Sequence, residues 1–288
     1  VTGGSSGIGK SLAVQLAKSG ANVTILARNE ERLQKAKEEV AKHLWEGRKE
    51  RLQKAKEEVA KHLWEGRKVG KLSMYSTTDL RNILLNSHVF HRPVLVFGPV
   101  DLLFNCAGYA ICGRFDDLKI DDFKNMMNTN YFGSVYPTYA VIKSMKARQQ
   151  GHVVFVSSMG GQFGIFGLSA YSASKFAIRG FAECLFMEVK PYNVGVSVVF
   201  PPDTDTPGFE NENKNKPEET HLICSSGGLF PPDHVAQKQS SKVSSTNNVI
   251  KGVQSRQFLV TCGFDGWALN TVTSGATPFT SCIELITQ

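Results

Sequence analysis

Thr2-Gly3-Gly4-Ser5-Ser6-Gly7-Ile8-Gly9 decides the fold, because a helical pattern from Lys10 to Ser19 follows it and then the apolar stretch Ala21-Asn22-Val23-Thr24-Ile25-Leu26-Ala27. Leu12, Val14, Leu16 and Ala17 supply the apolar positions of that helix. A glycine-rich turn between the start of a helix and the strand after it opens a βαβ unit. Glycines let a pyrophosphate approach the backbone, and the unpaired N–H groups of the helix N-terminus favour its negative charge. The strand ends in Arg28, where an acidic residue would bond a ribose 2′-hydroxyl. Arginine suits a 2′-phosphate instead, so NADP is expected over NAD.

Working outward, the apolar runs share one habit. Val100-Asp101-Leu102-Leu103-Phe104 closes in Asn105-Cys106-Ala107-Gly108, His152-Val153-Val154-Phe155-Val156 in Ser157-Ser158, and Val194 to Phe200 in Pro201-Pro202-Asp203-Thr204. Each strand ends in small or polar residues, and in an open parallel sheet ligands bind beyond the carboxyl ends of the strands. The pattern predicts an α/β protein: a single Rossmann-type doubly wound parallel sheet with helices on both faces, one domain across residues 1–288. The strand that feeds the glycine turn is expected upstream of Val1. Leu72 to Ser76 reads as a weak strand leading towards Asp79, a contact for an adenine amino group.

Tyr171-Ser172-Ala173-Ser174-Lys175 places a phenol and an ammonium four residues apart, on one face of a helix. A free phenol, with a pKa of about 10, is a poor acid at neutral pH, and a nearby cation lowers that value. Between the strands, Asn130 sits in a helical segment reaching Met145 with apolar neighbours on both sides, so it is expected to turn inward, where its amide needs partners. His88 and His91, beside Pro93, read as surface residues, and no metal site is predicted.

Glu31 to Lys49 recurs without change as Glu50 to Lys68. One copy makes an amphipathic helix with Leu33, Ala36, Val40, Ala41 and Leu44 on a stripe. A second copy, shifted by nineteen residues, turns that stripe by about 100°. One copy is expected to serve as the helix and the other to bulge outward. Residues 203–232 read as a substrate lid region, and the polar run Glu210 to Thr220 within it as a solvated, mobile cover. Pro232 to Lys242 predicts a helix. Phe258 to Ile286 could line a long-chain pocket, meet a membrane or meet a second subunit.

The net charge of +7 is spread along the chain, with no arginine-rich or aromatic-interleaved pattern for nucleic acid. Six cysteines without CxxC or zinc spacing read as reduced thiols in a cytosol-facing protein. The longest apolar run, Val94 to Ala107, is broken by Gly98, Pro99 and Asp101 and is too short to span a bilayer.

Taken in order, Thr2 to Gly9, Asn105 to Gly108, Asn130, Ser158 and Tyr171-x-x-x-Lys175 resemble the short-chain dehydrogenase/reductase family. More narrowly, Gly161 to Gly167, Phe176 to Gly180, Met187 to Asn193 and Pro201 to Phe209 resemble the branch that uses NADPH to reduce the 3-keto group of 3-dehydrosphinganine in sphingolipid metabolism. The resemblance implies Tyr171 as the acid that protonates the carbonyl oxygen, and Lys175 as the cation that lowers its pKa and holds the ribose. Ser158 would bond the same oxygen, with Ser157 the candidate one register away, and Asn130 would hold a water that resupplies protons. Gly3, Ser5, Ser6, Gly7, Ile8 and Gly9 would match the phosphate turn, Arg28 and Arg32 the 2′-phosphate side, Asp79 the adenine and Asn105 the ribose. It also implies an endoplasmic reticulum membrane location with the catalytic domain facing the cytosol. Membrane association would run through segments outside this sequence, and a homo-oligomer is allowed. The alternatives left open are a family member acting on steroid or retinoid carbonyls and a catalytically silent homologue acting as a binding protein.

Overall fold

Why do the central strands lie in the middle of the molecule? Gly151–Val156 (β4) and Val194–Phe200 (β5) are buried at every position, which only a sheet covered on both faces achieves. The computed structural model describes residues 1–43, 72–76, 98–225, 227–236 and 249–273, with 72–76 and 263–266 as backbone alone. Leu102–Asn105 (β3), β4, β5 and Leu259–Thr261 (β6) pair in that order, all parallel. Val23–Ala27 (β1) pairs in parallel with Leu72–Ser76 (β2).

Thr2 joins the two groups of strands. It bridges Leu26 on one side and Asn105 on the other, both in parallel. Its amide donates to the Phe104 carbonyl at 2.9 Å, while the Leu26 amide donates to the Val1 carbonyl at 3.0 Å. Val1 and Thr2 thus occupy the slot of the strand expected upstream of the glycine turn. From this slot the chain moves first to β1 on one side and later to β3 on the other, which makes it the topological switch point.

Alternate residues of each strand face opposite layers. Val153, Phe155, Val196, Val198 and Phe200 pack with Val141 and Met145 of Gly133–Arg148 (α4) and with Ile178, Ala182 and Leu185 of Ser169–Val189 (α5). Phe104, Val154, Val199 and Val260 pack on the other face with Leu12 of Gly7–Lys18 (α1) and with Val249, Ile250 and Val253 of Val249–Gln254 (α9). Each such side chain contributes about 1.5–3 kcal/mol on burial.

The first copy of the repeat begins as expected. Residues 30–43 form a helix (α2) in which Leu33, Ala36 and Val40 are buried against α1 and β1. Ala41 departs from the stripe and is exposed. Leu44 and the second copy lie outside the described residues, as do Asp79, His88 and His91.

The segment holding Asn130 is not one regular helix. Ile120–Met126 (α3) passes into a π-helical stretch, Met127–Phe132, before α4 begins. The lid region carries two short helices, Pro207–Asn213 (α6) and Glu218–Ser225 (α7), of which α7 buries Thr220. Pro232–Ala236 (α8) realises the start of the helix expected to Lys242, and Gly263–Thr273 (α10) follows β6. Among the described residues no helix is long and apolar enough to cross a membrane.

Candidate active site

The strand ends and the glycine turn surround one cleft of about 970 Å³. Gly3, Ser5, Ser6, Gly7, Ile8 and Gly9 line one end, and Arg28 and Arg32 stand exposed at its rim. Ser157, Ser158, Tyr171 and Lys175 line the same space. Sequence reasoning therefore brought together residues more than 150 positions apart.

The turn has a physical need for its glycines. Gly3 has φ +65°, and a Cβ there would stand 2.9 Å from the Ala107 backbone. A Cβ on Gly9 would meet the Gly3 carbonyl at 2.5 Å. The N-cap residue Ser6 makes no side-chain cap, and the first turn of α1 carries no acid. Its N–H groups and dipole are thus open to an anion. The hydroxyl of Thr2 holds the opposite wall by accepting from the Cys106 and Ala107 amides, both at 3.1 Å.

Tyr171 and Lys175 share a face of α5, and the Lys175 Nζ stands 5.5 Å from the centre of the phenol ring. The ammonium donates to the Val156 carbonyl at the end of β4, at 2.9 Å. Burial drives its pKa down to about 8. The expectation that Lys175 lowers the phenol is not met. Burial pushes Tyr171 up; a hydrogen bond from Ser158 opposes this, and Glu212 and Asp203 push the same way as burial. Lys175 is not among the groups that shift the phenol, and its ammonium donates to the Val156 carbonyl. The result is a phenol that keeps its proton across the neutral range.

The two serines divide cleanly. Ser158 caps the short 3₁₀ turn Met159–Gly161, its oxygen accepting from the Gly160 amide at 3.1 Å, and it is the serine bonded to Tyr171. Ser157 is buried and donates to the Lys175 carbonyl at 3.3 Å, so it props the helix that carries the pair.

Asn130 is fully buried and its amide is fixed on several sides. Its Oδ1 accepts from the Tyr109 amide at 3.1 Å, and its Nδ2 donates to the Tyr109 carbonyl at 3.1 Å and to Ser174 Oγ at 2.9 Å. A Cβ on Gly108 would lie 3.0 Å from Asn130 Oδ1 and 3.5 Å from Lys175 Nζ. Asn130 and Lys175 therefore both border the space beside Gly108. Asn105 is corrected: its side chain is buried, donates to Thr138 Oγ1 at 3.0 Å and does not line the cleft. The carboxamide turns towards α4 because the Thr138 hydroxyl offers it an acceptor there.

The lid wall was missed. Charged runs read as solvated, yet Lys216 keeps only 1% of its side chain exposed and pairs with Glu212 at 2.9 Å. Its ammonium also stands 4.6 Å from the Phe209 ring centre. Burial works to lower the Lys216 pKa, but the bond and charge of Glu212 outweigh it and the value ends raised. Thr220 is buried and donates to the Phe166 carbonyl at 2.8 Å. The Glu212/Lys216 spacing of i and i+4 was the available signal. Among the described residues all five cysteines are free, and burial pushes Cys106, which lines the cleft, up to about 12.

The short chain dehydrogenase family model matches residues 1–50 and 46–217, and the chain belongs to that family. It is similar to the 3-ketodihydrosphingosine reductase of Bos taurus, 43% identical over all of this chain and 77% of the relative. It is 44% identical to the 3-dehydrosphinganine reductase of Danio rerio with the same coverage. The 3-ketodihydrosphingosine reductase of Dictyostelium discoideum is 34% identical over 97% of this chain and 78% of its own length. Among solved structures, a short-chain dehydrogenase from Sphingobium yanoikuyae in complex with NADPH superposes with a TM-score of 0.72, covering 100% of this chain and 94% of its own, at 18% identity. That likeness supports the Rossmann-type fold.

Proposed function

We propose that this chain reduces the 3-keto group of 3-dehydrosphinganine to the alcohol of sphinganine, with NADPH as reductant. The observation that carries this reading is the placement of a protonated phenol, Tyr171, in the same cleft as an open, glycine-lined helix N-terminus. The relatives identical at 43% and 44% over the whole chain bear the names of that reductase.

The residues fit the cofactor. The turn from Gly3 to Gly9 would hold its pyrophosphate, Arg28 and Arg32 its 2′-phosphate, and Lys175 its ribose hydroxyls. When bound, NADPH supplies the hydride. Tyr171 gives its proton to the carbonyl oxygen, and Ser158 holds that oxygen as a neutral donor. Lys175 would return a proton towards the phenolate, and a water held by Asn130 would link Lys175 to solvent for resupply. On this reading the reaction belongs at the cytosolic face of the endoplasmic reticulum membrane. A long-chain substrate and the exposed Ile223 and Val272 lining the cleft support that placement. Exposed Phe132, Tyr139 and Phe176 favour a second copy of the chain as a partner.

The test follows NADPH oxidation with a panel of long-chain 3-keto amines, steroids and retinoids in mixed micelles. Turnover of the keto amines is expected. A preference for steroids or retinoids would overturn the substrate assignment, and NADPH binding without turnover of any carbonyl would leave a silent binding protein.

A further inference from the structure

The cleft holds a charge arrangement that carbonyl reduction itself does not require. Asp203 at the end of β5 and Glu212 on α6 both line it, and both act on the Tyr171 phenol. Lys216 is the cation of the group, and its buried ammonium is committed to Glu212 at 2.9 Å and to the face of Phe209. Two carboxylates and one ammonium leave one negative charge. That charge falls to Asp203, whose carboxylate makes no ion pair or side-chain hydrogen bond among the described residues. Its position is fixed from behind: the Phe230 amide donates to the Asp203 carbonyl at 2.9 Å, and the Asp205 amide to the Phe230 carbonyl at 2.8 Å.

A half-buried carboxylate without a partner costs free energy that an arriving cation returns. Burial accordingly holds the Asp203 carboxyl above its usual range, with Lys216 opposing and Glu212 adding to the rise. β4 and β5 pair side by side up to Val156 and Val199, and the Ser157 amide donates to the Val199 carbonyl, so the β5 end that carries Asp203 adjoins the β4 end that carries Ser158. The reacting carbonyl must lie at Tyr171 and Ser158, so a cation held by Asp203 belongs on the ketone's side of the cleft and not at the far end of a chain.

We propose that Asp203 receives the ammonium group carried on the carbon next to the reacting ketone, and that the Glu212–Lys216 pair keeps a second cation from neutralising it. The inference rests on the proposed function and assigns it a specificity residue: the cleft selects α-amino ketones over neutral ketones of equal length. A site built for a charged hydrogen bond rejects the analogue lacking it strongly. Steroid and retinoid carbonyls bring no such charge.

The experiment measures kcat/KM for 3-dehydrosphinganine and for the same ketone with hydrogen in place of the amino group, which is smaller and cannot be excluded by bulk. Wild-type protein is expected to favour the amine roughly 10- to 100-fold, the worth of a hydrogen bond to a charged group. Asp203→Asn should lose that preference through KM on the amine, with the neutral ketone within about twofold of wild type and NADPH binding unchanged. Asp203→Glu should restore part of the preference. Equal treatment of both ketones by wild type overturns the inference without needing a variant, and so does an Asp203→Asn loss that is equal on both. Turnover of neither ketone by wild-type protein that binds NADPH overturns the proposed function, and the inference with it.

Discussion

The two walls of the cleft are built on opposite principles. The wall formed by the end of β4 and by α5 holds Ser158 against Tyr171 and Lys175 against the Val156 carbonyl, with no carboxylate against the ammonium among the described residues. The wall formed by α6, α7 and the end of β5 is held by charge, with Lys216 buried against Glu212 and Asp203 beside them. The first arrangement keeps a proton donor neutral and charged groups poised. The second sets a field. The field reaches across the cleft, since Glu212 and Asp203 both push the Tyr171 phenol up.

The largest expected effect breaks the first wall. Tyr171→Phe should lower kcat roughly 10³-fold, within the usual range for loss of a general acid, while a fluorescence titration shows NADPH binding as in wild type. Unchanged turnover would remove the phenol from its role.

Lys175 gives the next effect, and its sign is fixed by its pKa. The ammonium is charged below about 8 and neutral above, whereas the Tyr171 phenol, pushed up, keeps its proton through that range. The kcat/KM for the ketone should therefore fall as pH rises through about 8. Lys175→Met should lose roughly 10²-fold and abolish that limb. Stability runs the other way: between about 8 and the ordinary lysine value of 10.5 the unfolded chain binds more protons, so chemical denaturation should show stability rising with pH across that window.

The charged wall is tested by Lys216→Met, which leaves Glu212 buried without its partner. A loss of about 2–3 kcal/mol in chemical denaturation is expected, at the low edge for a broken buried pair because Glu212 keeps 14% of its side chain exposed. Adding Glu212→Gln should recover part of it. An equal loss in the double variant would show that packing and not charge holds the lid. The smallest effect sharpens the contrast: Arg114 and Glu219 also pair across the lid at 2.6 Å, but at 56% and 44% exposure. Arg114→Ala should change stability by no more than about 0.5 kcal/mol.

What the sequence disclosed follows from what leaves a local trace. The turn from Thr2 to Gly9, the unbroken apolar runs of β4 and β5 and the Tyr171/Lys175 spacing each carry their geometry in neighbouring residues. The direction of the Tyr171 pKa does not, since burial is set by elements far along the chain. Lys216 was read as solvated because a lysine in a polar run gives no sign that a phenylalanine ring and a glutamate will enclose it. Asn105 sits in a stretch that matches a cofactor-facing strand end, yet Thr138, thirty-three positions away, draws its amide inward. The π-helical stretch was read as ordinary helix because hydrophobic periodicity over six residues is too short to separate the two periods.

That wider coil at Met127–Phe132 makes the region sensitive to length in an unusual way. Removing one residue there would let the chain relax into the common period, a change most helices would resent and this one would welcome. With the residue taken from between Asn130 and α4, Asn130 would turn by about 100° relative to α4. A shortened chain would fold and still strand Asn130 away from Ser174, silencing the proton route while leaving both walls of the cleft standing.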